Sequence, residues 1–303
     1  MKRVFALAGL LAACQPAAPP TPVSVWTPPP DSAIPAGPLG ASIQRGRALF
    51  THTPDSLPRF IPGTLRCASC HLENGRRATA ASLAGVYARF PKYMDRTGAV
   101  IDLADRVNYC FTRSLAGSKL PAGSREMQDI LAYLAFLSTG VPIGSHGVPE
   151  GMPKMPPLTG DTLRGRAIFT STCTVCHGPE GQGTAVATAL WGTKSFSIGA
   201  SMARQERAAS FIRHNMPFSA PGSLTDQQAF DVAAYIVSKS RPDSPGKAND
   251  WPAGGAPADV PYDTKGHRAY NPPPLLPRPA TDEAIVPPPP SVVAGQPDSA
   301  RNR

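Results

Sequence analysis

The chain has 303 residues and a net charge of +9, from 30 basic and 21 acidic side chains. This length is enough for two small domains. However, 24 of the 37 prolines lie before residue 39 or after residue 240, so the foldable part is about residues 39 to 240. All six cysteines belong to the motifs described below, which excludes a scaffold held together by structural disulfides.

The first 14 residues have the pattern of a bacterial export signal. Positive residues 1–3 precede an apolar run at residues 4–11, which is too short to span a membrane. The run ends in LAAC at Cys14, which resembles the lipobox of bacterial lipoproteins, in which this cysteine is lipidated. The alternative is ordinary signal cleavage nearby, with Cys14 lost or idle. Both interpretations predict export to the periplasmic side of a bacterial membrane, followed by a disordered Pro-rich tether at residues 15–38.

Two CxxCH motifs follow, CASCH at residues 67–71 and CTVCH at residues 173–177. In such motifs two thiols attach haem covalently and the adjacent histidine ligates the iron. The sequence therefore predicts two haem c groups, held by Cys67, Cys70 and His71 and by Cys173, Cys176 and His177.

The chain repeats itself around these motifs. The two motifs lie 106 residues apart, as do Cys110 and Met216, so each of these residues is 39 positions beyond its own motif histidine. A matching helix precedes each motif and another closes each repeat. This layout predicts a mostly α-helical chain with little or no sheet, made of two tandem class I-like cytochrome c domains. Their predicted bounds are 39–140 and 159–241, with a Pro/Gly-rich linker at 141–158 and a disordered Pro-rich extension at 242–303.

Helix packing within each repeat follows from small and aromatic residues. A glycine in the first helix permits close approach of the last helix, and the aromatic residue one turn on is expected to pack against a tyrosine. The residues concerned are Gly46, Phe50 and Tyr133 in the first repeat and Gly165, Phe169 and Tyr235 in the second. Ser124 and Thr225 are the predicted N-caps of the two last helices.

Met216 is the predicted second ligand of haem two, because a methionine before a proline in the loop after the amphipathic segment 203–213 resembles the distal ligand of single-haem cytochromes c. The alternatives are that Met216 is a core methionine, or that His214 ligates instead. His146, Met152 and Met155 are interpreted as linker residues rather than metal ligands.

Cys110 is the predicted second ligand of haem one. It lies on the apolar face of a predicted helix at 102–117 and is the counterpart of Met216; the alternative is a buried free cysteine. Met94 lies only 23 residues beyond His71, and Met127 belongs to the core stripe of the last helix. A thiolate ligand lowers an iron's potential and a thioether raises it, so electrons are predicted to run from haem one to haem two.

Arg106 and Arg113 lie one helical turn on either side of Cys110. They are a predicted anion clamp beside a nucleophilic sulfur, with Arg76, Arg77, Arg96 and Lys119 as further candidates. The alternatives are solvated surface, or pairing of Arg106 with Asp102. The first domain carries a balance of +6 and the second +3, which favours small anionic ligands; nucleic acid is not expected as a partner of an exported haem protein.

Several stretches resemble the dihaem thiosulfate dehydrogenases, which are related to the sulfur-oxidising dihaem cytochromes of bacteria. They are CASCH, residues 93–117, CTVCHGPEGQG, NMP at 215–217 and DWPAGGAPADVPY at 250–262. The resemblance implies oxidation of two thiosulfates to tetrathionate at the haem of His71 and Cys110. It also implies that electrons leave through the haem of His177 and Met216 to an acceptor cytochrome. Some members have a lysine where this chain has Asn215, so ligand exchange with Met216 is not expected here.

The proposed chemistry is that Cys110 leaves the iron and its sulfur bonds transiently to the outer sulfur of thiosulfate. Three other interpretations remain open from the sequence. In these interpretations the chain is a non-catalytic dihaem electron carrier, a subunit of a larger thiosulfate-oxidising complex, or an enzyme that works in reverse as a tetrathionate reductase.

Overall fold

The structure is a computed structural model that describes residues 26–145, 148 and 150–269. The predicted export signal with Cys14, the first part of the tether, His146 and the tail from residue 270 lie outside the described residues. Within the part of the chain that is described, no helix has the length and apolar character needed to cross a membrane.

The first domain is built on helices, as predicted. It contains α1 (Gly37–Thr51), α2 (Thr53–Ser56), α3 (Leu103–Tyr109), which continues as a π-helical turn (Cys110–Ser114), and α4 (Arg125–Phe136). Its sheet is limited to a small antiparallel hairpin of β1 (Lys92–Met94) and β2 (Ala99–Ile101), in which Tyr93 pairs with Val100.

The second domain repeats this order with no hairpin among its described residues. Helix α5 (Thr162–Ile168) continues through a π-helical turn (Phe169–Cys173) into α6 (Thr174–His177). Helices α7 (Gln205–Asn215) and α8 (Asp226–Val237) complete it.

The first and last helices of each domain pack through the predicted glycines. A Cβ on Gly46 would lie 1.9 Å from the backbone oxygen of Asp129, and one on Gly165 would lie 1.9 Å from that of Asp231. The predicted aromatic pairs are also confirmed. Ring centroids are 5.7 Å apart for Phe50 and Tyr133, and 5.5 Å apart for Phe169 and Tyr235. Only glycine lets these helices come this close.

The same helix pairs share an ion pair that the sequence analysis missed. Arg45 Nε lies 2.7 Å from Asp129 Oδ2, and Arg164 Nε lies 2.7 Å from Asp231 Oδ2. Each carboxylate is almost buried, whereas each arginine reaches solvent. Each repeat therefore has an equivalent ion pair between its first and last helices, next to the glycine contact.

Both predicted N-caps are confirmed. Ser124 Oγ accepts from the backbone of Met127 at the start of α4, and Thr225 Oγ1 accepts from that of Gln228 at the start of α8. The apolar faces of α4 and α8 point inward: Met127, Ile130, Leu134, Leu137, Phe230, Ala233 and Ala234 are buried, while Leu131 and Val237 are partly buried.

Residues 26–38 of the predicted tether lie on the first domain. Trp26 Nε1 donates to the backbone oxygen of Thr139 at 3.2 Å. Asp31 forms ion pairs with Arg76 and with Arg47 at 2.7 and 2.9 Å. Charge pairing helps to hold this segment on the domain, because the Arg76 side chain is only 19% exposed and Asp31 supplies its counter-ion.

Residues 242–262, which follow the predicted end of the second domain at residue 241, fold onto both domains. We call this segment the C-terminal strap. Trp251, Val260 and Tyr262 form a second, smaller apolar cluster, and the Val260 side chain is completely buried. The prolines of the strap had suggested disorder, but its apolar and aromatic residues supply enough burial to hold it in place.

Candidate haem sites and anion cavity

The thiols of the first motif lie in an environment that keeps them neutral. Cys67 lies at the start of a 3₁₀ turn (Cys67–Ser69), and its backbone N–H donates to the buried hydroxyl of Thr53 at 3.1 Å. Burial, with the nearby charge of Cys110, raises the pKa of Cys67 and of Cys70 to about 12. None of the five described cysteines forms a disulfide, so the four thiols of the two motifs are available to attach haem.

Each motif histidine is oriented by a backbone carbonyl. His71 Nδ1 lies 2.6 Å from the oxygen of Ala81, and His177 Nδ1 lies 2.8 Å from that of Thr188. Burial lowers the pKa of His177, against the opposing effect of the Thr188 oxygen. Because Nδ1 is used in this bond, Nε2 is left to ligate a metal. Both sites therefore fit a covalently attached haem.

Cys110 lies beside His71, as its predicted role requires. It begins the π-helical turn, in which the Leu115 N–H donates to the Cys110 backbone oxygen at 2.9 Å. The Cys110 thiol lies near the His71 imidazole, and Arg106 Nη1 donates to Cys110 Sγ at 3.2 Å. Burial favours the neutral thiol, but Arg106 and His71 outweigh it and lower the pKa of Cys110 to about 6.

The alternative pairing of Arg106 with Asp102 is not what the structure contains. Asp102 is the N-cap of α3 and accepts from the backbone of Asp105 at 2.8 Å, while Arg106 turns towards Cys110. The π-helical turn was not predicted from the sequence. Such turns occur preferentially at functional sites, and here it begins at the candidate reacting residue.

Met216 directly follows α7, and its partly buried side chain packs against the apolar core. His214 Nδ1 lies 2.8 Å from the backbone oxygen of Ser210, so one of its ring nitrogens is already occupied. Asn215 is completely buried and crosses to the first domain, where it exchanges two hydrogen bonds with Thr79 at 2.8 and 3.0 Å.

A cavity of about 90 Å³ lies between the two domains and is lined in part by Arg106, the residue that donates to Cys110. Its walls come from the hairpin, from α3 with its π-helical turn, and from a loop of the second domain. They consist of Met94, Arg96, Arg106, Tyr109, Arg113, Ser114, Gly199 and Ser201. The structure therefore brings Arg106 and Arg113 together with Arg96, as the predicted anion clamp requires.

Three other candidates for that clamp do not line the cavity. Arg76 is bound to Asp31, and Arg77 is paired with Glu73 at 2.8 Å. Lys119 is exposed and is not part of the cavity wall. A larger groove of about 330 Å³ lies on the outer side of α1 and α4, and its lining includes no cysteine or histidine.

Arg113 and Arg96 share a carboxylate that the sequence analysis missed, Asp250 of the C-terminal strap. Arg113 Nη1 donates to Asp250 Oδ2 at 2.8 Å, and Arg96 Nε donates to the same oxygen at 3.0 Å. The guanidinium of Arg113 also lies over the Tyr109 ring, and that of Arg96 over the Trp251 ring. Asp250 is 137 residues from Arg113 and 154 residues from Arg96 in the sequence, and local sequence patterns carry no signal over such separations.

Comparison with known families defines the class of protein. Residues 61–143 match the family described as SoxA/TsdA, cytochrome c domain, and residues 162–240 match the family Cytochrome c. With the two haem motifs and their oriented histidines, these matches make the chain a c-type cytochrome that carries two covalently bound haem c groups.

Individual relatives narrow the class further. The chain is 41% identical to thiosulfate dehydrogenases from Psychrobacter arcticus and Allochromatium vinosum, covering 77% and 73% of this chain and 73% and 86% of theirs. It also resembles the solved thiosulfate dehydrogenase TsdBA of Marichromatium purpuratum, with a TM-score of 0.72 and 31% identity. That likeness covers 80% of this chain and 57% of the solved one. The chain belongs to the thiosulfate dehydrogenase family, which confirms the resemblance seen in its sequence.

Proposed function

We propose that this chain oxidises two thiosulfates to tetrathionate beside Cys110 and passes the two electrons through its second domain to an acceptor such as another cytochrome. The observation that carries the proposal is the position of Cys110 Sγ, which lies 3.2 Å from Arg106 and near enough to His71 for the imidazole to lower the pKa of the thiol. Arg106 and two other arginines line the cavity, and the relatives named above are thiosulfate dehydrogenases.

The proposed iron ligands are His71 with Cys110 in the first domain and His177 with Met216 in the second. Haem, when bound at each site, supplies an iron that accepts one electron at a time. The thiolate is expected to lower the potential of the first haem and the thioether to raise that of the second. This difference directs electrons away from the reacting sulfur.

The cavity suits a small dianion. Guanidinium N–H groups donate charge-assisted hydrogen bonds to sulfonate oxygens, and Arg106 is placed to contact both the substrate and Cys110. We propose that the sulfonate group of thiosulfate faces the arginines while its outer sulfur faces Cys110. The positive charge of Arg106 then stabilises both the thiolate and the approaching anion.

The covalent steps follow from sulfur chemistry. The thiolate of Cys110 and the outer sulfur of thiosulfate form a disulfide bond, and two electrons leave as that bond forms. The outer sulfur of a second thiosulfate then attacks the substrate-derived sulfur. This breaks the bond to Cys110, restores its thiolate and releases tetrathionate. Neither step takes up or releases a proton.

The direct test uses the purified dihaem protein under anaerobic conditions. Addition of thiosulfate is expected to reduce both haems, and with an excess oxidant one tetrathionate should form for every two thiosulfates consumed. Reduction by dithionite but not by thiosulfate would identify a non-catalytic electron carrier instead. Reduction only by thiosulfate joined to a carrier protein would identify a subunit of a larger complex.

We also propose that the chain is exported and anchored to the membrane through lipid on Cys14. The support is the sequence pattern of residues 1–14, together with covalent haem attachment of a type associated with export. Cell fractionation tests this: Cys14→Ala is expected to move the protein from the membrane to the soluble periplasmic fraction. An unchanged distribution would contradict the anchor.

A further inference from the structure

The C-terminal strap reaches the wall of the anion cavity through one carboxylate. Asp250 is 1% exposed and accepts hydrogen bonds from Arg96 Nε at 3.0 Å, Arg113 Nη1 at 2.8 Å and the Tyr262 hydroxyl at 2.6 Å. A second, shorter contact joins Asp250 Oδ1 to Arg113 Nη2. Both arginines line the cavity, whereas Asp250 lies behind them.

We propose that Asp250 is a positioning residue for the anion site, which holds Arg96 and Arg113 side by side at the cavity wall. The substrate it serves rests on the function proposed above. Two guanidinium groups that lie against the same carboxylate are close enough to repel each other, and the buried carboxylate that accepts from both offsets this repulsion. The bidentate contact to Arg113 also fixes the plane of that guanidinium.

The surroundings of Asp250 restrict both arginines further. Arg96 Nη2 donates to the backbone oxygen of Gly199 at 2.6 Å, and the Arg96 backbone oxygen accepts from Trp251 N–H at 2.9 Å. Arg113 Nη1 is 3.4 Å from the hydroxyl of Ser244. The strap therefore joins the hairpin, the π-helical turn and the second-domain loop at the place where the anion is expected to bind.

The carboxylate also sets the charge of the site. Arg96, Arg106 and Arg113 bring three positive charges to the cavity wall, and Asp250 cancels one of them. Two positive charges remain, and they face the Cys110 thiolate and the incoming anion. Asp250 thus affects the substrate in two opposing ways, since its negative charge repels the anion while its hydrogen bonds hold the donors that bind it.

Asp250→Asn separates these two effects, because it removes the charge and keeps the size. If positioning dominates, the KM for thiosulfate rises about tenfold or more, as expected when an oriented charge-assisted hydrogen bond is lost. The kcat should change by less than about threefold, and the haem content should not change, because Cys110 and Arg106 are untouched. A purely structural loss would instead lower haem content and kcat together.

Asp259→Asn is the matched control. Asp259 is another strap carboxylate, but it pairs with Arg204 at 2.6 Å and does not line the cavity. Its KM should equal that of the wild type. Tyr262→Phe is a milder variant that removes one hydroxyl from the Asp250 network, and its KM should rise about two- to fivefold. If Asp250→Asn fails to accumulate as a dihaem protein, Tyr262→Phe decides the question.

An unchanged KM in the deciding variant would overturn the positioning role. So would a lowered KM in Asp250→Asn, because it would mean that the substrate responds to the charge of Asp250 rather than to its hold on the arginines. A wild type that does not oxidise thiosulfate would refute the proposed function instead. Calorimetric binding of sulfate, a redox-inactive dianion, to wild type and Asp250→Asn then decides the positioning role: weaker binding in the variant supports it, and equal or tighter binding contradicts it.

Discussion

At the scale of single residues, Arg106 is the side chain whose charge acts most directly on the reacting sulfur. It donates to Cys110 Sγ at 3.2 Å and lines the cavity. Arg106→Gln should lower kcat/KM for thiosulfate about 100-fold, as expected for the loss of a hydrogen bond to a charged group of roughly 2–3 kcal/mol. Steady-state kinetics test this. Arg125→Gln removes an arginine that is 72% exposed on α4 and should change kcat/KM less than about twofold. Equal kinetics in both variants would contradict the role of Arg106.

A second prediction at this scale concerns acid stability. Burial opposes the charged form of Asp129, but hydrogen bonds from Arg45 and Ser42 outweigh it and hold its pKa below the ordinary value. A carboxyl group whose pKa is lower in the folded chain than in the unfolded chain stabilises the fold at every pH above its unfolded pKa. This stabilisation is lost as the pH falls through the pKa of the folded state.

Asp129→Asn should therefore lower the thermal midpoint at pH 7 by about 4 °C, a modest loss because solvent screens the partly exposed Arg45. The difference from the wild type should shrink at an acid pH below the ordinary pKa of a carboxyl group. Thermal unfolding at the two pH values measures it. Asp95→Asn, at an exposed position, is the control. A difference that stays the same at both pH values would contradict the assigned cause.

Residues differ in how far the sequence predicts their place. The place of Cys110 near His71 is predictable, because equal spacing in the repeat makes Cys110 the equivalent of Met216. Asp250 is not predictable in this way, because its partners Arg96 and Arg113 are far away in the chain and a single ion pair leaves no periodic pattern. Arg113 was assigned to the anion clamp, but only the structure shows that its charge is shared with the strap.

At the scale of secondary-structure elements, the tight crossing of first and last helices depends on two glycines. Gly46→Ala and Gly165→Ala would each place a Cβ 1.9 Å from a backbone oxygen of the facing helix, which cannot move aside without shifting that helix. Each variant should lose about 3 kcal/mol in the free energy of unfolding, near the upper end for overpacking.

Gly123→Ala is the matched control for both variants. A Cβ on Gly123 meets no atom within 4 Å and its backbone is not in the left-handed region, so its stability should be unchanged. Denaturant unfolding of the dihaem protein measures all three. Equal stability of Gly46→Ala and Gly123→Ala would mean that the helices can separate at no cost.

Helices and caps are the elements that the sequence predicts best. The periodic apolar stripes, the caps Ser124 and Thr225 and the glycine contacts are local patterns with a direct physical cause. The π-helical turn at Cys110–Ser114 is different. It changes the hydrogen-bond spacing for only five residues, and helical periodicity over a longer segment averages this out.

At the scale of the whole molecule, the two domains are held together by buried polar contacts and by the strap. Asn215 bonds to Thr79 across the boundary, and the Ser197 hydroxyl donates to the backbone oxygen of Arg113. Calorimetry should therefore give one unfolding transition for both domains. Asn215→Leu leaves the polar groups of Thr79 without these partners and should broaden or split the transition. Two well-separated transitions in the wild type would contradict this coupling.

The segments that flank the two domains were the least predictable feature at this scale. Proline content indicated disorder outside residues 39–240, yet residues 26–38 and 242–262 both lie against the domains. A few side chains decide this outcome. Asp31 neutralises Arg76, and Trp251, Val260 and Tyr262 bury enough apolar surface to order a segment that average composition would assign to a tail.

The central claim is that Cys110 is the sulfur at which thiosulfate reacts. Replacing it with glycine and mixing the purified dihaem protein anaerobically with thiosulfate tests this most directly, with haem reduction followed by absorbance. Cys110→Gly should retain both covalently bound haems and remain reducible by dithionite, but thiosulfate should no longer reduce it. Reduction of both haems by thiosulfate at the wild-type rate in this variant would contradict the account.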